Sequence, residues 1–196
     1  MKTTYPCIIR KTELTDIDAI YWLYKEVSKI TGGLARIESE ITSDYIRRFT
    51  EKSATNGLQL LAIEATQHTV VGEIHAYLLE PQVFKHVLSD LTIAVHPDYQ
   101  AQGIGKMLFT TFLNLVAEQR NDILRVELIA RESNQKAIAF YQQLGFKIEG
   151  RLEKRIYSGS TTYEADIPMA WFEADIPMAW FNNAFENNNS LLPVLP

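Results

Sequence analysis

Residues 91–107 read LTIAVHPDYQAQGIGKM, and the hydrophobic period of this stretch changes halfway along it. Leu91, Ile93 and Val95 alternate with other residues, which is typical of a strand. From Ile104 onward the apolar residues recur at helical spacing, and the turn QAQGIG joins the two patterns. The stretch therefore predicts a strand, a tight turn that contains glycine, and an amphipathic helix.

The turn has the features of an anion-binding site. Gly103 and Gly105 carry no Cβ atom, so a ligand can approach the main chain closely. Main-chain N–H groups converge at the positive end of the following helix, where a pyrophosphate would be stabilised. Lys106 adds a full positive charge in the first helical turn. We expect a phosphate-bearing ligand here.

Two common phosphate-binding loops do not fit this turn. A Walker A loop requires glycine at the position of Gln100 and Ser or Thr at the position of Met107. The dinucleotide-binding fingerprint requires a third glycine where this chain has Leu108. On these residues alone, an ordinary strand-to-helix turn without a ligand stays open.

A second block follows, in which a short apolar strand from Val126 to Ile129 leads to SNQKAIAFYQQLGF. Ser133 or Asn134 can cap a helix there, and Gly145 supplies a left-handed stop. The two blocks, QxxGxG after the strand and SNxxAxxxYxxxGF, resemble the acetyl-CoA elements of the Gcn5-related N-acetyltransferases. The resemblance covers roughly residues 8–171 and is densest in the second half.

This resemblance implies a fold. The family has a mixed, mostly antiparallel α+β sheet with helices on both faces. Its central parallel strands, which match residues 91–95 and 126–129, splay apart, and the pantetheine arm of the cofactor enters the gap. The resemblance also implies that Asn134 bonds the pantetheine or phosphate end and that Tyr141 lies near the thioester sulfur.

Acetyl-CoA is therefore the expected co-substrate, and no cluster of Cys, His and acidic residues has the spacing of a metal site. The main-chain groups of the cofactor strand can pair with the pantetheine amides. The predicted cofactor-binding residues are Ile93, Ala94, Val95, Gln100, Ala101, Gln102, Gly103, Ile104, Gly105, Lys106, Asn134, Lys136 and Tyr141.

Acyl transfer to an amine sets the catalytic requirements. The thioester oxygen gains negative charge, and a main-chain N–H near Ile93 or Ala94 is the natural donor to it. A carboxylate or a water chain must take the amine proton, for which Asp90 and Glu73 are the candidates. Tyr141 can return a proton to the departing thiolate. In addition, His75 and His86 are candidates for the border of the acceptor site.

The composition favours one compact domain, because 196 residues with 46% hydrophobic content can bury a core without disulfides. The N-terminus lacks the apolar run of a signal peptide, and no segment is long enough to span a membrane. We therefore expect a cytoplasmic protein with no membrane partner. A net charge of −5 without a basic stripe argues against a nucleic-acid partner.

The remaining elements are read from period and turn signals. We expect a first strand, a helix that follows a Thr15 and Asp18 capping pair, a polar helix, a hairpin around Gln67-His68, and a last hairpin with its tip at residues 158–160. The predicted ranges are 6–10 for the strand, 17–27 for the first helix, 43–52 for the second, 58–64 and 70–79 for the hairpin, and 146–157 and 163–171 for the last hairpin.

A direct repeat lies near the C-terminus, where EADIPMAWF occupies residues 164–172 and again residues 173–181. Because nine is odd, a strand that ran through both copies would reverse which side chains face the core. We therefore expect a single N-acetyltransferase domain over residues 1–172, with the first copy in the sheet. Residues 173–196 form a separate segment, and a homodimer through residues 173–181 is expected.

The predicted reaction is transfer of an acetyl group from acetyl-CoA to the primary amine of a small molecule, by direct attack in a ternary complex. The run FYQQLGFKIEGRLEKRIY resembles the bacterial branch of the family that acetylates free amino acids and similar small amines. Acetylation of protein N-termini or lysines, and a catalytically silent acyl-CoA binding module, stay open as alternatives.

Overall fold

The computed structural model describes residues 6–30, 32–159 and 161–172. The strands in these ranges are β1 (Cys7–Lys11), β2 (Gly57–Glu64), β3 (Val70–Leu78), β4 (Val87–Val95), β5 (Arg125–Arg131), β6 (Lys147–Ile148), β7 (Leu152–Gly159) and β8 (Thr162–Phe172). The α-helices are α1 (Ile17–Ser28), α2 (Ser43–Asn56), α3 (Ile104–Gln119) and α4 (Gln135–Gln143).

The strands form one mixed sheet in the order β1, β2, β3, β4, β5, β8, β6, and β7 also pairs with β8. All of the pairings are antiparallel except that of β4 with β5, which is parallel. The predicted mixed sheet with a parallel central pair is therefore confirmed.

The parallel pair is joined only at its start. Val87 pairs with Arg125 and Leu88 with Val126, and no later residue of β4 pairs with β5. The separation coincides with a bulge in β4, because the register with β3 shifts there and Asp90 has a φ of 52°. A bulge bends its strand, so β4 turns away from β5 and a gap opens between them.

Helices cover both faces of the sheet and make two cores. Helices α3 and α4 pack on one face, where Phe109 of α3 lies within 5.8 Å, centroid to centroid, of the rings of Phe140, Tyr141 and Phe146. Helices α1 and α2 pack on the other face, where Tyr24 and Phe49 are fully or almost fully buried. Each helix presents an apolar stripe to the sheet.

Two elements differ from the prediction. The strand predicted over residues 91–95 begins earlier, at Val87, because Val87 and Leu88 are both buried and show no alternation. The strand predicted over residues 146–157 is divided into β6 and β7. The break lies opposite Pro168 of β8, and proline has no N–H group to donate to the ladder.

The two copies of the repeat differ in what the structure describes. The first copy, residues 164–172, forms most of β8. The second copy and the dimer predicted through residues 173–181 lie outside the described residues. None of the helices in the described ranges is long and apolar enough to cross a membrane.

Replacing Phe109 by Ala should lower the free energy of unfolding by about 3–5 kcal/mol, because the lost ring leaves a cavity between α3 and α4. Urea denaturation followed by circular dichroism measures this change. The control is Trp22→Ala on α1, where the side chain is 64% exposed and the expected loss is below about 0.5 kcal/mol. Equal losses in the two variants would contradict the packing described here.

Candidate active site

The turn before α3 has the backbone of an anion cradle. Ala101 and Gly103 both have left-handed φ angles, of 58° and 88°. The first four N–H groups of a helix have no partner within it, and Met107 is the first residue of α3 whose N–H is bonded in this way, to the Gly103 carbonyl at 2.9 Å. The N–H groups of Ile104 and Gly105 are thus left for a ligand or water.

Two glutamine side chains brace this turn. Gln100 donates its Nε2 to the carbonyl of Val95 at 3.0 Å, and Gln102 donates its Nε2 to the carbonyl of Asp98 at 2.9 Å. The Nε2 groups of both glutamines therefore fix the turn against the end of β4.

The main chain of β4 faces the gap at alternate residues. His96 donates its N–H to the carbonyl of Val71 on β3 at 2.9 Å. Since the direction of the main-chain groups alternates along a strand, those of Ala94 face β3 as well, and those of Ile93 and Val95 face the gap. The predicted pairing with pantetheine therefore has open main-chain groups at Ile93 and an open N–H at Val95, whose carbonyl accepts from Gln100. Of the two predicted oxyanion donors, Ile93 faces the gap and Ala94 does not.

The turn and the gap adjoin each other. A Cβ atom added at Gly105 would lie 3.7 Å from Val95 Cγ2 and 3.9 Å from Ile93 Cδ1. The start of α3 therefore lies directly against the side chains of the two strand residues whose main-chain groups face the gap. The phosphate cradle and the predicted pantetheine strand form one continuous surface.

The residues predicted from the second block lie on α4. Asn134 caps this helix, because its Oδ1 accepts the N–H of Ala137 at 3.2 Å. Its amide NH₂ group is thus the part of the side chain that a cofactor can use. Lys136 is exposed in the first turn. The predicted role of Lys136 in cofactor binding stays a prediction.

Tyr141 lies on the inner side of α4. Its ring packs against Phe109 and Phe146 with centroids 5.4 and 6.1 Å away. Burial raises the pKa of the Tyr141 phenol to about 12, so the hydroxyl stays protonated near neutral pH. Among the described residues the hydroxyl has no hydrogen-bond partner. It can therefore donate to a ligand.

A cleft of about 400 Å³ opens at the gap on the face of the sheet that carries α2. Residues of the α1–α2 loop, α2, β3, β4, β5 and β8 line it. The lining residues with polar side chains include Arg36, Tyr45, His75, Tyr77, Asp90 and Thr92. The cofactor turn and this cleft therefore lie on opposite faces of the sheet, on either side of one gap.

The predicted proton acceptors are placed differently. Asp90 is exposed and lines the cleft, whereas Glu73 is fully buried and does not reach it. Glu73 Oε2 accepts the hydroxyl of Tyr24 at 2.7 Å, and its Oε1 accepts Gln59 Nε2 at 2.9 Å. The second atom near Oε1 is Nδ1 of His75, at 3.0 Å. Glu73 can therefore act on a substrate only through His75.

His75, which the sequence placed at the border of the acceptor site, lines the cleft. Its ring is stacked on Phe49 at 4.0 Å between centroids, and its side chain is 2% exposed overall. Glu73 and His75 are two apart on a strand, so the sequence does place them on one face. Tyr24 and Gln59 carry no such signal, because they come from α1 and β2. His86 does not line the cleft; its carbonyl accepts the N–H of Leu124 at 3.0 Å.

Two arginines line the cleft, and they differ in whether a carboxylate binds them. Arg125 is held by Glu127 at 2.9 Å and by Glu149 at 2.8 Å. Arg36 lies 4.1 Å from the centroid of the Tyr45 ring and has no carboxylate partner among the described residues. Arg36 is therefore a cation that the cleft offers to a ligand. Within the described ranges, no three His, Cys, Asp or Glu side chains are grouped so that they could hold a metal ion.

Three comparisons with known proteins agree with this geometry. The sequence profile of the acetyltransferase (GNAT) family matches residues 15–146. The [ribosomal protein bS18]-alanine N-acetyltransferase of Escherichia coli K12 is 30% identical over 118 residues, which are 60% of this chain and 75% of that protein.

Solved structures show the same fold. The crystal structure of a GNAT acetyltransferase from Streptococcus pneumoniae superposes with a TM-score of 0.76 at 22% identity, covering 85% of this chain and 99% of that one. A phosphinothricin acetyltransferase from Sinorhizobium meliloti, solved in complex with acetyl-CoA, superposes with a TM-score of 0.73 at 16% identity, covering 86% and 88%.

The profile match spans both the cofactor turn and the helix that carries Tyr141. The profile match and the shared fold thus point to one family. This chain belongs to the GNAT family and is an acyl-CoA-dependent N-acetyltransferase.

Proposed function

We propose that this enzyme acetylates the primary amine of a small molecule that also carries a carboxylate, as a free amino acid does. The acetyl donor is acetyl-CoA, and the amine attacks it directly in a ternary complex. One observation carries this proposal. The gap between β4 and β5 opens to the anion cradle on one face of the sheet and to a polar cleft on the other.

The cofactor side of the gap fits acetyl-CoA. The N–H groups of Ile104 and Gly105 suit the pyrophosphate, because they lie at the positive end of a 16-residue helix. The main-chain groups of Ile93 and Val95 match the alternating donors and acceptors of the pantetheine amides. The N–H of Ile93 is the proposed donor to the thioester oxygen, and the Tyr141 hydroxyl the proposed donor to the thiolate.

The size and charge of the cleft support a small, zwitterionic acceptor. A volume of about 400 Å³ lies in the range of small-ligand pockets. Asp90 and His75 lie on β4 and β3 and suit an ammonium or amine group. Arg36, on the loop before α2, suits a carboxylate. An amine with a carboxylate a few bonds away would engage both ends of the cleft.

A second candidate acceptor is the N-terminal amine of a protein. It is favoured by the 30% identity with the enzyme named for alanine acetylation of ribosomal protein bS18. In such a protein, the first residue has a peptide bond in place of the free carboxylate that Arg36 would bind. Release of CoA in the presence of single amino acids, polyamines and N-terminal peptides therefore separates the two candidates and tests the proposed function.

Replacing Gly103 by Leu should reduce acetyl-CoA affinity by about 10-fold or more, because the side chain occupies the approach of the phosphates. Gly32→Leu is a matched control. Both glycines have left-handed φ angles, of 88° and 77°, and an added Cβ atom meets nothing within 4 Å at either. Isothermal titration calorimetry measures both affinities, and an unchanged value for Gly103→Leu would remove the turn from the cofactor site.

The Tyr141→Phe variant should have a kcat about 10-fold or more below the parent value, with acetyl-CoA affinity unchanged. The substitution keeps the ring packed against Phe109 and removes only the hydroxyl. Steady-state kinetics with calorimetry measures the two effects. Tyr163→Phe, where the ring is 57% exposed on β8, should keep the parent kcat. Full turnover in Tyr141→Phe would reduce Tyr141 to a core residue.

Replacing Arg36 by Gln should raise the KM for an amino-acid acceptor by about 10-fold, because one charged hydrogen bond is worth about 1.5–3 kcal/mol. The KM for a plain alkylamine of equal length should stay within about 2-fold, since it has no carboxylate. The control is Arg47→Gln on α2, because the Arg47 side chain is exposed and lies outside the cleft. An equal rise for both acceptors would show that Arg36 does not bind a carboxylate.

A further inference from the structure

We propose that His75 is the general base of this enzyme and that the buried carboxylate of Glu73 holds it in the reactive tautomer. This inference rests on the proposed transfer to an amine. It assigns the proton acceptor that acyl transfer requires to a residue pair on β3.

The hydrogen-bond pattern fixes the tautomer of the imidazole. Glu73 Oε1 and His75 Nδ1 are 3.0 Å apart, and an ionised carboxylate can only accept, so Nδ1 carries the hydrogen. Nε2 then carries the lone pair. Among the described residues Nε2 has no hydrogen-bond partner, and His75 lines the cleft. The basic nitrogen is therefore available to a ligand.

Hydrogen-bond donors hold the buried carboxylate of Glu73 behind the histidine. The Tyr24 hydroxyl and the Gln59 amide donate to its two oxygens at 2.7 and 2.9 Å. Burial, together with the charge of Glu73, keeps the pKa of the Tyr24 phenol well above its ordinary value, so this hydroxyl remains a donor. A carboxylate in an apolar interior is costly without such partners. These two donors orient Glu73 so that Oε1 also faces Nδ1 of His75.

Packing fixes the plane of the imidazole. The ring of His75 is stacked on Phe49 at 4.0 Å and 8°, and it lies parallel to Tyr77 at 6.2 Å and 4°. Rotation about χ2 would break these stacks and the bond to Glu73 together. The ring therefore presents Nε2 in one direction, as a general base requires.

The register of the sheet brings this base to the gap. His75 is paired with Thr92 of β4, which lines the same cleft. Paired strands are about 4.8 Å apart. The next residue of β4 is Ile93, whose N–H faces the gap and is the proposed donor to the thioester oxygen. The base and the oxyanion donor therefore lie on adjacent strands beside one opening.

The proton balance is simple. The acceptor enters as R–NH₃⁺, and Nε2 of His75 takes one proton, giving imidazolium beside the Glu73 carboxylate. The amine nitrogen forms a bond to the acetyl carbon as the carbon–sulfur bond breaks. The nitrogen then releases a second proton, which reaches the thiolate through Tyr141. The products are R–NH–acetyl and the CoA thiol, and His75 returns its proton to water.

Several groups near His75 contribute to its charge balance. They come from every element packed around it: Tyr24 of α1, Tyr45 of α2, Glu73 and Tyr77 of β3, Asp90 of β4, and Arg36 of the preceding loop. Glu73 is the charged group in hydrogen-bond contact with the ring. The Glu73 carboxylate is therefore the ion-pair partner of the imidazolium that the reaction would form.

The test is the pH dependence of kcat at saturating acetyl-CoA and amine. The parent enzyme should show one acidic limb, in which kcat falls as imidazolium forms. His75→Gln and His75→Phe should each lower kcat by roughly 100-fold or more and abolish the limb. Glu73→Gln should retain the limb but move it to lower pH, because the charge that stabilises imidazolium is gone. His68→Asn, in an exposed turn, should match the parent.

The outcomes separate a catalytic role from a structural one. His75→Phe keeps an aromatic ring against Phe49, so a parent-like kcat and limb in this variant would overturn the proposal. Loss of the limb in Asp90→Asn with His75→Gln unaffected would do the same and identify Asp90 as the base. If both His75 variants fail to fold by circular dichroism, an unshifted limb in folded Glu73→Gln overturns it.

Failure of the proposed function looks different. In that case the parent enzyme binds acetyl-CoA in calorimetry but releases no CoA thiol with amino acids, polyamines or peptides. If the parent releases thiol with a single amino acid, the proposed function holds whatever the His75 variants do. The acetyl-CoA affinity of each variant, measured by calorimetry, should equal that of the parent, because His75 and Glu73 lie on the face of the sheet opposite the cofactor turn.

Discussion

The early separation of β4 from β5 is the constraint on which the rest of the site depends. Only Val87 and Leu88 of β4 pair with β5, and the bulge at Asp90 then turns the strand away. Main-chain groups in a sheet are normally paired, whereas those of Ile93 and the N–H of Val95 are left to water or a ligand, and the Val95 carbonyl accepts from Gln100 instead of a strand. The two central strands are therefore unpaired with each other over most of their length, and this leaves a passage between the faces of the sheet.

The passage lets one site combine two incompatible environments. A diphosphate needs converging N–H groups and positive potential, which the start of α3 provides on one face. An amine needs a base and negative potential, which β3 and β4 provide on the other face. The sheet keeps the two ligands apart except at the gap. In the proposed reaction, the thioester and the amine nitrogen therefore meet only at the gap.

Burial of the Glu73 carboxylate costs free energy, because the charged group loses its contact with water. Apolar residues in place of the whole group would serve stability as well or better, whereas loss of Glu73 alone would leave its buried donors without an acceptor. Here Tyr24, Gln59 and His75 supply compensation for that cost from α1, β2 and β3. The convergence of elements on one carboxylate fits a role in positioning His75, and it explains why a single strand pattern could not reveal it.

The sequence alone determined the features whose physics is local. The strand-to-helix turn with Gly103 and the capped helix with Tyr141 follow from period, glycine positions and motifs that span fewer than about twenty residues. The mixed sheet, whose pairings join distant residues, was predicted from the family resemblance. Tertiary structure alone decided that Glu73 is buried behind His75, that Arg36 reaches the cleft, and that Pro168 divides the last hairpin. These features depend on contacts between residues far apart in the chain, and burial and pairing of that kind leave no periodic trace in the sequence.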